Sequence, residues 1–422
     1  MKIALVACGS RGDVQPMLAL ALGLRGAGHE VLLTVPPDFE ALASEHGLEA
    51  RALGPGFKNN PEMRDASPRS FARFIKREIK DEIRELPALA RGSDLLIATG
   101  LAFGGRSVAE HLGVPYRLVA FAPLALLGTD RDPLALRVGG WIARTVVNLG
   151  LRGALNRERS AIGLPPVRDV LTHWAGERVI AATDPALTRL PAGALPKAVQ
   201  TGYMHLRQPG ALGEELERFL GAGPVPAYVG FGSMPIVRPS ELVSRVASVA
   251  RSQDRRFVVL ARDLPPGTLA EEPRCFVTGN VPHEQLFPRV TAAVHHGGAG
   301  TVAAAARAGV PQVVVPLMSD QPQWRAQVVA LGLGPGGPGF KRMTARNLGQ
   351  AVAACLSDPA YARRAREVAA AVACTDGVAL TVALIERDHG RSQSSSPGGT
   401  AVRPPFPAGD PPPAGAAGRR CR

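Results

Sequence analysis

The chain has few cysteines, few aromatic residues and no long uncharged run. Its five cysteines among 422 residues are widely spaced and form no Cys-x-x-Cys pair: Cys8, Cys275, Cys355, Cys374 and Cys421. This usage favours a reducing compartment and argues against a disulfide framework or a zinc site. No uncharged run approaches the ~20 residues that span a bilayer. The first apolar run lacks a convincing signal-peptide cleavage site, so we expect a cytoplasmic protein.

The charge is strongly positive, yet it does not indicate nucleic-acid binding. The formal net charge is +13, aromatic residues make up only 5% of the chain, and Lys and Arg are scattered rather than clustered. Such a balance suits an anionic substrate or a membrane surface. The length allows two domains, each with its own core.

Two series of alternating strands and helices follow each other along the chain. Lys2–Cys8 and Glu30–Val35 begin the first series, and Ala227–Ser233 begins the second. A Gly- and Pro-rich stretch separates them. We therefore predict a first domain at 1–205, a linker at 206–226 and a second domain at 227–388. The Pro-, Gly- and Ser-rich tail, 389–422, is expected to be disordered.

The turn after the first strand carries the candidate base. Asp13 follows that strand closely, and ligands of parallel α/β sheets bind at the carboxyl edge of the strands. A general base is one role; capping of a helix that opens near Pro16 is the alternative. Ser10 and Arg11 offer a donor and a cation in the same turn. The spacing Gly9-x-x-Gly12 is not that of a dinucleotide-binding turn, so no nicotinamide cofactor is expected.

A glycine-rich turn in the second half predicts an anion site. An apolar strand at 292–294 precedes His295, His296 and Gly297–Gly300, and a strong helix former follows from Thr301. Backbone N–H groups at the start of a helix attract a phosphate when no side chain covers them. A plain tight turn is the alternative. Metal binding by the two histidines is not expected, because neighbours on a strand point to opposite faces.

The segment Arg137–Arg159 is cationic and amphipathic. Such a helix can lie on an anionic membrane, which makes a peripheral membrane contact one hypothesis. The other is a helix that closes an apolar substrate pocket.

Five motifs occur in an order that resembles a known family. They are Gly9–Pro16, Phe231–Ser233, Asn280–His283, His295–Thr301 and Asp320–Pro322. Together they are similar to those of the GT-B glycosyltransferases of the UDP-glycosyltransferase superfamily, especially actinobacterial natural-product enzymes and sterol glucosyltransferases. The resemblance implies an α/β fold with two Rossmann-like domains that face each other across a cleft.

The resemblance also implies a chemistry. It implies inverting, metal-independent transfer of a sugar from a nucleotide diphosphate sugar, with no cofactor beyond this co-substrate. Asp13 would be the base, with Ser10 beside the reacting centre. The implied donor-binding residues are Arg11, Ser233, Val281 (through its backbone), His295, Gly298, Gly300, Thr301, Asp320 and Gln321. Asp320 and Gln321 would hold sugar hydroxyls, and His295 would face the diphosphate.

The acceptor is less well specified. The segment between about Phe121 and Leu155 is shorter than in the glycopeptide enzymes, which favours a smaller polyketide, sterol or lipid acceptor. A non-catalytic homologue that activates another transferase is the alternative function. The sequence specifies no oligomeric state.

Overall fold

Two largely parallel β-sheets, each flanked by helices, form the frame of the protein. The computed structural model describes residues 1–57, 60–64, 67–122, 134–190, 197–208, 210–232, 238–262, 264–269 and 271–389. For residues 64, 68, 134–143 and 268 it describes the backbone alone.

The first sheet is parallel throughout, with strand order β3-β2-β1-β4-β5-β6-β7. Its strands are β1 (Lys2–Cys8), β2 (Glu30–Val35), β3 (Ala50–Ala52), β4 (Leu95–Gly100), β5 (Tyr116–Ala120), β6 (Arg178–Ala181) and β7 (Lys197–Gln200). β1 is central and pairs with both β2 and β4, so that Ile3 lies between Val31 and Leu95. β1 is buried on both faces and lies between β2 and β4. The residue that follows it therefore lies at an interior position of the carboxyl edge of the sheet.

The second sheet has the order β10-β11-β9-β8-β12-β13. Its strands are β8 (Ala227–Gly230), β9 (Phe257–Leu260), β10 (Gly267–Leu269), β11 (Glu272–Thr278), β12 (Ala293–His295) and β13 (Gln312–Val314). Only the edge pair β10–β11 is antiparallel among the described strands. The predicted α/β class is confirmed, although the sequence patterns had missed β3, β6, β7 and β10.

Helices connect the strands and cover both sheets. They are α1 (Arg11–Gly26), α2 (Glu40–Glu45), α3 (Pro61–Arg64), α4 (Pro68–Leu89), α5 (Gly105–Leu112), α6 (Leu134–Ala161), α7 (Val170–Ala175), α8 (Glu214–Gly221), α9 (Pro239–Gln253), α10 (His283–Leu286), α11 (Ala299–Arg307), α12 (Gln321–Ala330), α13 (Ala345–Ser357), α14 (Pro359–Ala373) and α15 (Gly377–His389).

The first helix begins earlier than expected. A start near Pro16 was predicted, but α1 begins at Arg11, because Ser10 and Asp13 form a capping box that satisfies the first N–H groups. Pro16 therefore lies inside the helix, where its buried ring packs into the core and its missing N–H leaves one helical hydrogen bond unmade. The prediction for this start was wrong because a local cap outweighed the proline signal.

Residues in the predicted linker and at the end of the predicted second domain form helices that pack on neighbouring elements. Within residues 206–226, α8 is a regular helix that packs on β10 and β11 of the second sheet. Near the end of the described residues, α15 packs against α1, which belongs to the first sheet's half of the chain. The ring of His29 lies 3.2 Å from Glu386, and Asp388 lies within 4 Å of Arg117 and Arg178.

The chain passes between the two sheets twice, once after β7 and once before α15, and the two passages are in contact. The hydroxyl of Thr381 donates to that of Thr201 at 2.8 Å in a buried contact. A Cβ on Gly377 would stand 2.5 Å from the carbonyl oxygen of Tyr203, and one on Gly202 would meet Thr375 at 2.3 Å. Glycine at both positions lets the backbones approach, and the contact sets how the two sheets face each other.

One described stretch, Pro359–His389, is long and apolar enough to cross a membrane by length and composition alone. It comprises two helices, α14 and α15, which are interrupted after Ala373. α14 packs against α11, and α15 packs against α1. Each helix buries one side on the protein, through Val368 and Val372 of α14 and Leu384 and Ile385 of α15.

The cationic segment Arg137–Arg159 belongs to α6. This helix packs against α4 and buries Leu151 and Leu155, whereas Val146 and Leu149 are exposed. The side chains of 134–143 lie outside the described residues, as does the tail from 390 onward. Membrane contact, pocket closure and the disorder of the tail stay predictions.

The close backbone contact at Gly377 predicts how an added methyl group there changes the free energy of unfolding. We expect Gly377→Ala to lower the free energy of unfolding by about 1–3 kcal/mol, because the added methyl would press on two backbone carbonyls. Urea unfolding measures the change. Gly153→Ala in α6 is the control, since no described atom lies within 4 Å of its Cβ. It should be stabilising by about 0.5–1 kcal/mol. Equal effects at both positions would contradict the tight crossing.

Candidate active site

Asp13 is held in place by the start of its own helix. Its Oδ2 accepts hydrogen bonds from the backbone N–H of Ser10 at 2.8 Å and from the Ser10 hydroxyl at 3.0 Å. Glycines flank the carboxyl: a Cβ on Gly9 would stand 2.6 Å from Oδ2, and one on Gly100 would stand 2.9 Å from Oδ1. The cap therefore occupies one oxygen, and the other lies beside the glycine that ends β4. Capping and availability as a base are compatible.

The electrostatic environment of Asp13 is set by both domains. Burial raises the pKa of its carboxyl to about 6; the hydrogen bonds from Ser10 oppose this shift and the charge of Asp320 adds to it. Asp320 belongs to the second sheet's half of the chain, so the fold brings the two predicted acidic residues within reach of each other's charge. A carboxylate with a pKa near neutrality is suited to accept a proton.

The glycine-rich turn opens α11 as predicted. Gly298 is the N-cap, without a side-chain hydrogen bond, and Ala299 and Gly300 are the first helical residues. Their N–H groups have no intrahelical acceptor and carry the positive end of the helix dipole. Gly297 has φ +92°, and a Cβ there would stand 2.6 Å from Val314. Only glycine fits this turn without strain.

The structure places the ring of His295 inside the fold. Its ring is fully buried; Gly297 N–H donates to Nδ1 at 3.1 Å, and Nε2 lies 3.0 Å from Oε1 of Gln312. These contacts assign the proton to Nε2. Burial lowers the pKa of His295 to about 4, so the ring is neutral. Both nitrogens are used inside the fold, and His295 is a core residue that braces the turn.

The ring of the next residue, His296, lies beside the glycine-rich turn. It is next to Gly232, which follows β8, and next to Gly298, where an added Cβ would stand 2.5 Å from Nε2. Among the described residues, Nδ1 has no hydrogen-bond partner. Burial lowers the pKa of His296 to about 3, with help from His295, His283 and Arg262. A neutral imidazole thus stands at the N-terminus of α11.

Asp320 and Gln321 lie at the start of α12, after a strained residue. Ser319 has φ +57°, which is uncommon for a residue other than glycine. Asp320 does not cap the helix; its Oδ2 accepts a hydrogen bond from the Trp324 indole at 3.0 Å, and burial raises its pKa. Gln321 uses Oε1 to accept from the N–H groups of Leu317 and Met318. Its amide nitrogen is the group left to donate.

The remaining predicted site residues are placed as follows. Arg11 is half-buried, and its charge helps to lower the pKa of His283 in the second half of the chain. Thr301 lies in the first turn of α11, and Val281 follows β11 and packs on the core beside α8. Ser233 lies outside the described residues.

Comparison with known proteins agrees with this geometry. The model of the glycosyltransferase family 28 N-terminal domain matches residues 3–126, and that of the erythromycin biosynthesis protein CIII-like C-terminal domain matches residues 257–381. Vancomycin aglycone glucosyltransferase from Amycolatopsis orientalis is 37% identical over 403 residues, which cover 91% of this chain and 97% of that protein. The dTDP-epi-vancosaminyltransferase of the same organism is 34% identical and covers 79% of this chain and 85% of that protein.

This chain is a family 1 GT-B glycosyltransferase. The crystal structure of the glycotransferase of kitacinnamycin has the same fold, with a TM-score of 0.72 over 92% of this chain and 99% of that chain, at 23% identity.

Sequence reasoning missed one further residue that faces the site of this glycosyltransferase. A Cβ on Gly300 would stand 2.6 Å from the hydroxyl oxygen of Tyr203. Tyr203 is buried, and the charge of Asp13 contributes to its raised pKa. It therefore lies between the carboxylate and the N-terminus of α11. No sequence motif contains Tyr203, because it lies where the chain passes from the first domain to the second.

The raised pKa of Asp13 predicts how stability depends on pH. Because the folded-state pKa exceeds the unfolded value, the protonated carboxyl stabilises the fold at low pH, and this contribution is lost as the pH rises through about 6. We expect Asp13→Asn to be more stable than the unaltered glycosyltransferase at pH 7.5, by up to about 3 kcal/mol, and similar to it near pH 4. Asparagine can keep the cap, as Asn347 does in the capping box of α13.

Urea unfolding of both proteins at the two pH values measures this difference. Asp358→Asn, at the exposed start of α14, controls for exchanging a capping carboxyl for an amide. A difference between Asp13→Asn and the parent that does not change with pH would contradict the raised pKa.

Proposed function

We propose that this glycosyltransferase moves a hexose from a UDP- or dTDP-sugar to a hydroxyl of a small, largely apolar acceptor, with inversion and without a metal in the reaction. One observation carries the proposal. Asp13, on the first domain, is coupled electrostatically to Asp320 on the second domain, and α11 of the second domain begins without a side-chain cap on its N–H groups. A base and a diphosphate site on opposite domains suit a displacement from the face opposite the leaving group.

Asp13 is proposed as the general base. As the acceptor oxygen bonds to the anomeric carbon, its proton passes to Oδ1, since Oδ2 is held by Ser10. Ser10 acts by orienting this carboxylate. A positioned base of this kind contributes on the order of 10²–10⁴-fold to the rate.

The departing nucleoside diphosphate takes the electron pair of the broken bond. The N–H groups at the start of α11 and a hydrogen bond from neutral His296 would stabilise this charge. His295 is excluded from direct contact because both its ring nitrogens are engaged. Arg11 and Thr301 are proposed to help hold the donor. The backbone of Val281 is proposed to meet the base ring.

The sugar would be held at the start of α12. Asp320 keeps one carboxylate oxygen free of the Trp324 contact, and Gln321 keeps its amide nitrogen, so the pair can accept from one hydroxyl and donate to the next. Ser233 is proposed to lie near the nucleotide. The relatives named above include a glucosyltransferase and a dTDP-sugar enzyme, and they support a hexose donor of either nucleotide.

The acceptor class follows from the relatives and the first domain. The vancomycin enzyme acts on an antibiotic aglycone, and a related natural product, polyketide, sterol or lipid is proposed here. A non-catalytic role as an activator is not favoured, because Asp13, His296 and Asp320 keep an arrangement that fits transfer.

Replacing the base tests the mechanism. We expect Asp13→Asn to lower kcat by about 10²–10⁴-fold while donor affinity changes little, since Asp13 does not lie at the diphosphate site. In the unaltered enzyme, kcat/KM should fall as the pH drops through about 6, because protonated Asp13 cannot accept a proton. Mass spectrometry of reactions with UDP- and dTDP-sugars and a natural-product panel measures transfer. Undiminished turnover in Asp13→Asn would remove Asp13 from the mechanism.

The two adjacent histidines should respond in opposite ways. His296→Ala should weaken binding of the nucleoside diphosphate by about tenfold, the value of one hydrogen bond, with little change in stability. His295→Ala should lower the free energy of unfolding by about 1–3 kcal/mol, because the N–H of Gly297 and the amide of Gln312 lose their buried partner. Calorimetric titration and urea unfolding separate the two. The reverse pattern would restore His295 as the diphosphate contact.

A further inference from the structure

A cluster of three acidic side chains lies buried beneath the active site, apart from the groups proposed to act in transfer. Cys8 is the last residue of β1, and Glu78 and Glu82 lie one turn apart on α4. Sγ of Cys8 and one carboxylate oxygen of each glutamate lie within 4.8 Å of one another. The three residues are 3%, 1% and 0% exposed.

The two carboxylates carry unused oxygen atoms. Glu82 accepts the N–H of Gly104 at 2.5 Å through Oε2. Among the described residues, Oε1 of Glu82 and Oε1 of Glu78 have no hydrogen-bond partner. Buried polar atoms are nearly always bonded, and an exception calls for an explanation such as an ion. Here two such atoms belong to one cluster.

The surroundings supply little positive charge. No Lys, Arg or His among the described residues forms an ion pair with Glu78 or Glu82, and the nearby Arg77 pairs with Glu62 at 3.2 Å. Burial raises the pKa of Glu78 to about 8 and raises those of Glu82 and Cys8 as well. Buried charges in proteins are paired with opposite charges or bind metal ions. A cation at this place would supply the positive charge that the described surroundings lack.

We propose that Cys8, Glu78 and Glu82 bind one divalent metal ion of the zinc class between β1 and α4. A thiolate selects Zn²⁺ over Mg²⁺ or Ca²⁺, and zinc takes Cys and Glu ligands in sites where water fills the fourth position. The ion is structural. It fastens α4 to the end of β1, just ahead of the turn that carries Asp13. Metal-independent transfer is unaffected, because these ligands belong to the first domain and not to the diphosphate site.

Cobalt provides a direct test on the full-length protein, prepared without a histidine tag. Titration of the chelator-treated protein with Co²⁺ should give one ion per chain and a near-ultraviolet band from thiolate-to-metal charge transfer. Cys8→Ser should abolish the band. Cys355→Ser should keep it, because Cys355 is an equally buried thiol whose raised pKa has burial as its only cause. Glu82→Gln should weaken Co²⁺ binding by at least about tenfold.

A measurement on the unaltered protein guards against variants that fail to fold. X-ray absorption at the zinc edge should show a single sulfur ligand at about 2.3 Å and oxygen or nitrogen ligands at about 2.0–2.2 Å. Absence of stoichiometric binding, a band that survives Cys8→Ser, or a first shell without sulfur would each overturn the proposal.

Discussion

The contact between the two crossings of the chain is the constraint on which the site depends. Thr201 and Gly202 on the outward crossing meet Gly377 and Thr381 on the return, through a buried hydroxyl pair and a backbone approach that only glycine permits. α15 then packs on α1, the helix whose first turn carries Asp13. The segment that joins the two domains therefore also supports α1, which carries the proposed base. The electrostatic coupling of Asp13 to Asp320 depends on this contact between the domains.

Asp13 shows how a structural and a chemical role combine in one carboxylate. The capping box fixes Oδ2 and orients the side chain, while glycines 9 and 100 leave room around it. Burial then raises the pKa of the same group towards neutrality, and Asp320 contributes from the other domain. Asp13 is partly buried by its position in the fold. The free energy cost of ionising it there supports its proposed role as the base.

The two adjacent histidines, His295 and His296, make different contacts at the glycine-rich turn. His295 fastens the end of β12 to β13 through Gln312 and holds the N–H of Gly297, so the turn is braced from inside the core. His296, the residue after β12, lies against Gly298 at the start of α11. A neutral ring at this point can donate a hydrogen bond without the repulsion that a second cation would add beside Arg262.

Local patterns in the sequence predicted most of the strands, the glycine turn before α11 and the acidic residue after β1, because alternation, turn chemistry and helix propensity act over a few neighbouring residues. They also predicted that His295 and His296 point to opposite faces of a strand, but not which face is the core. Only the tertiary structure decided which face is the core. It alone also decided the packing of α15 on α1, the approach of Tyr203 to α11, and the contact of Cys8 with Glu78 and Glu82. Each joins residues or surfaces far apart along the chain, and packing between distant elements leaves no short-range periodicity to read.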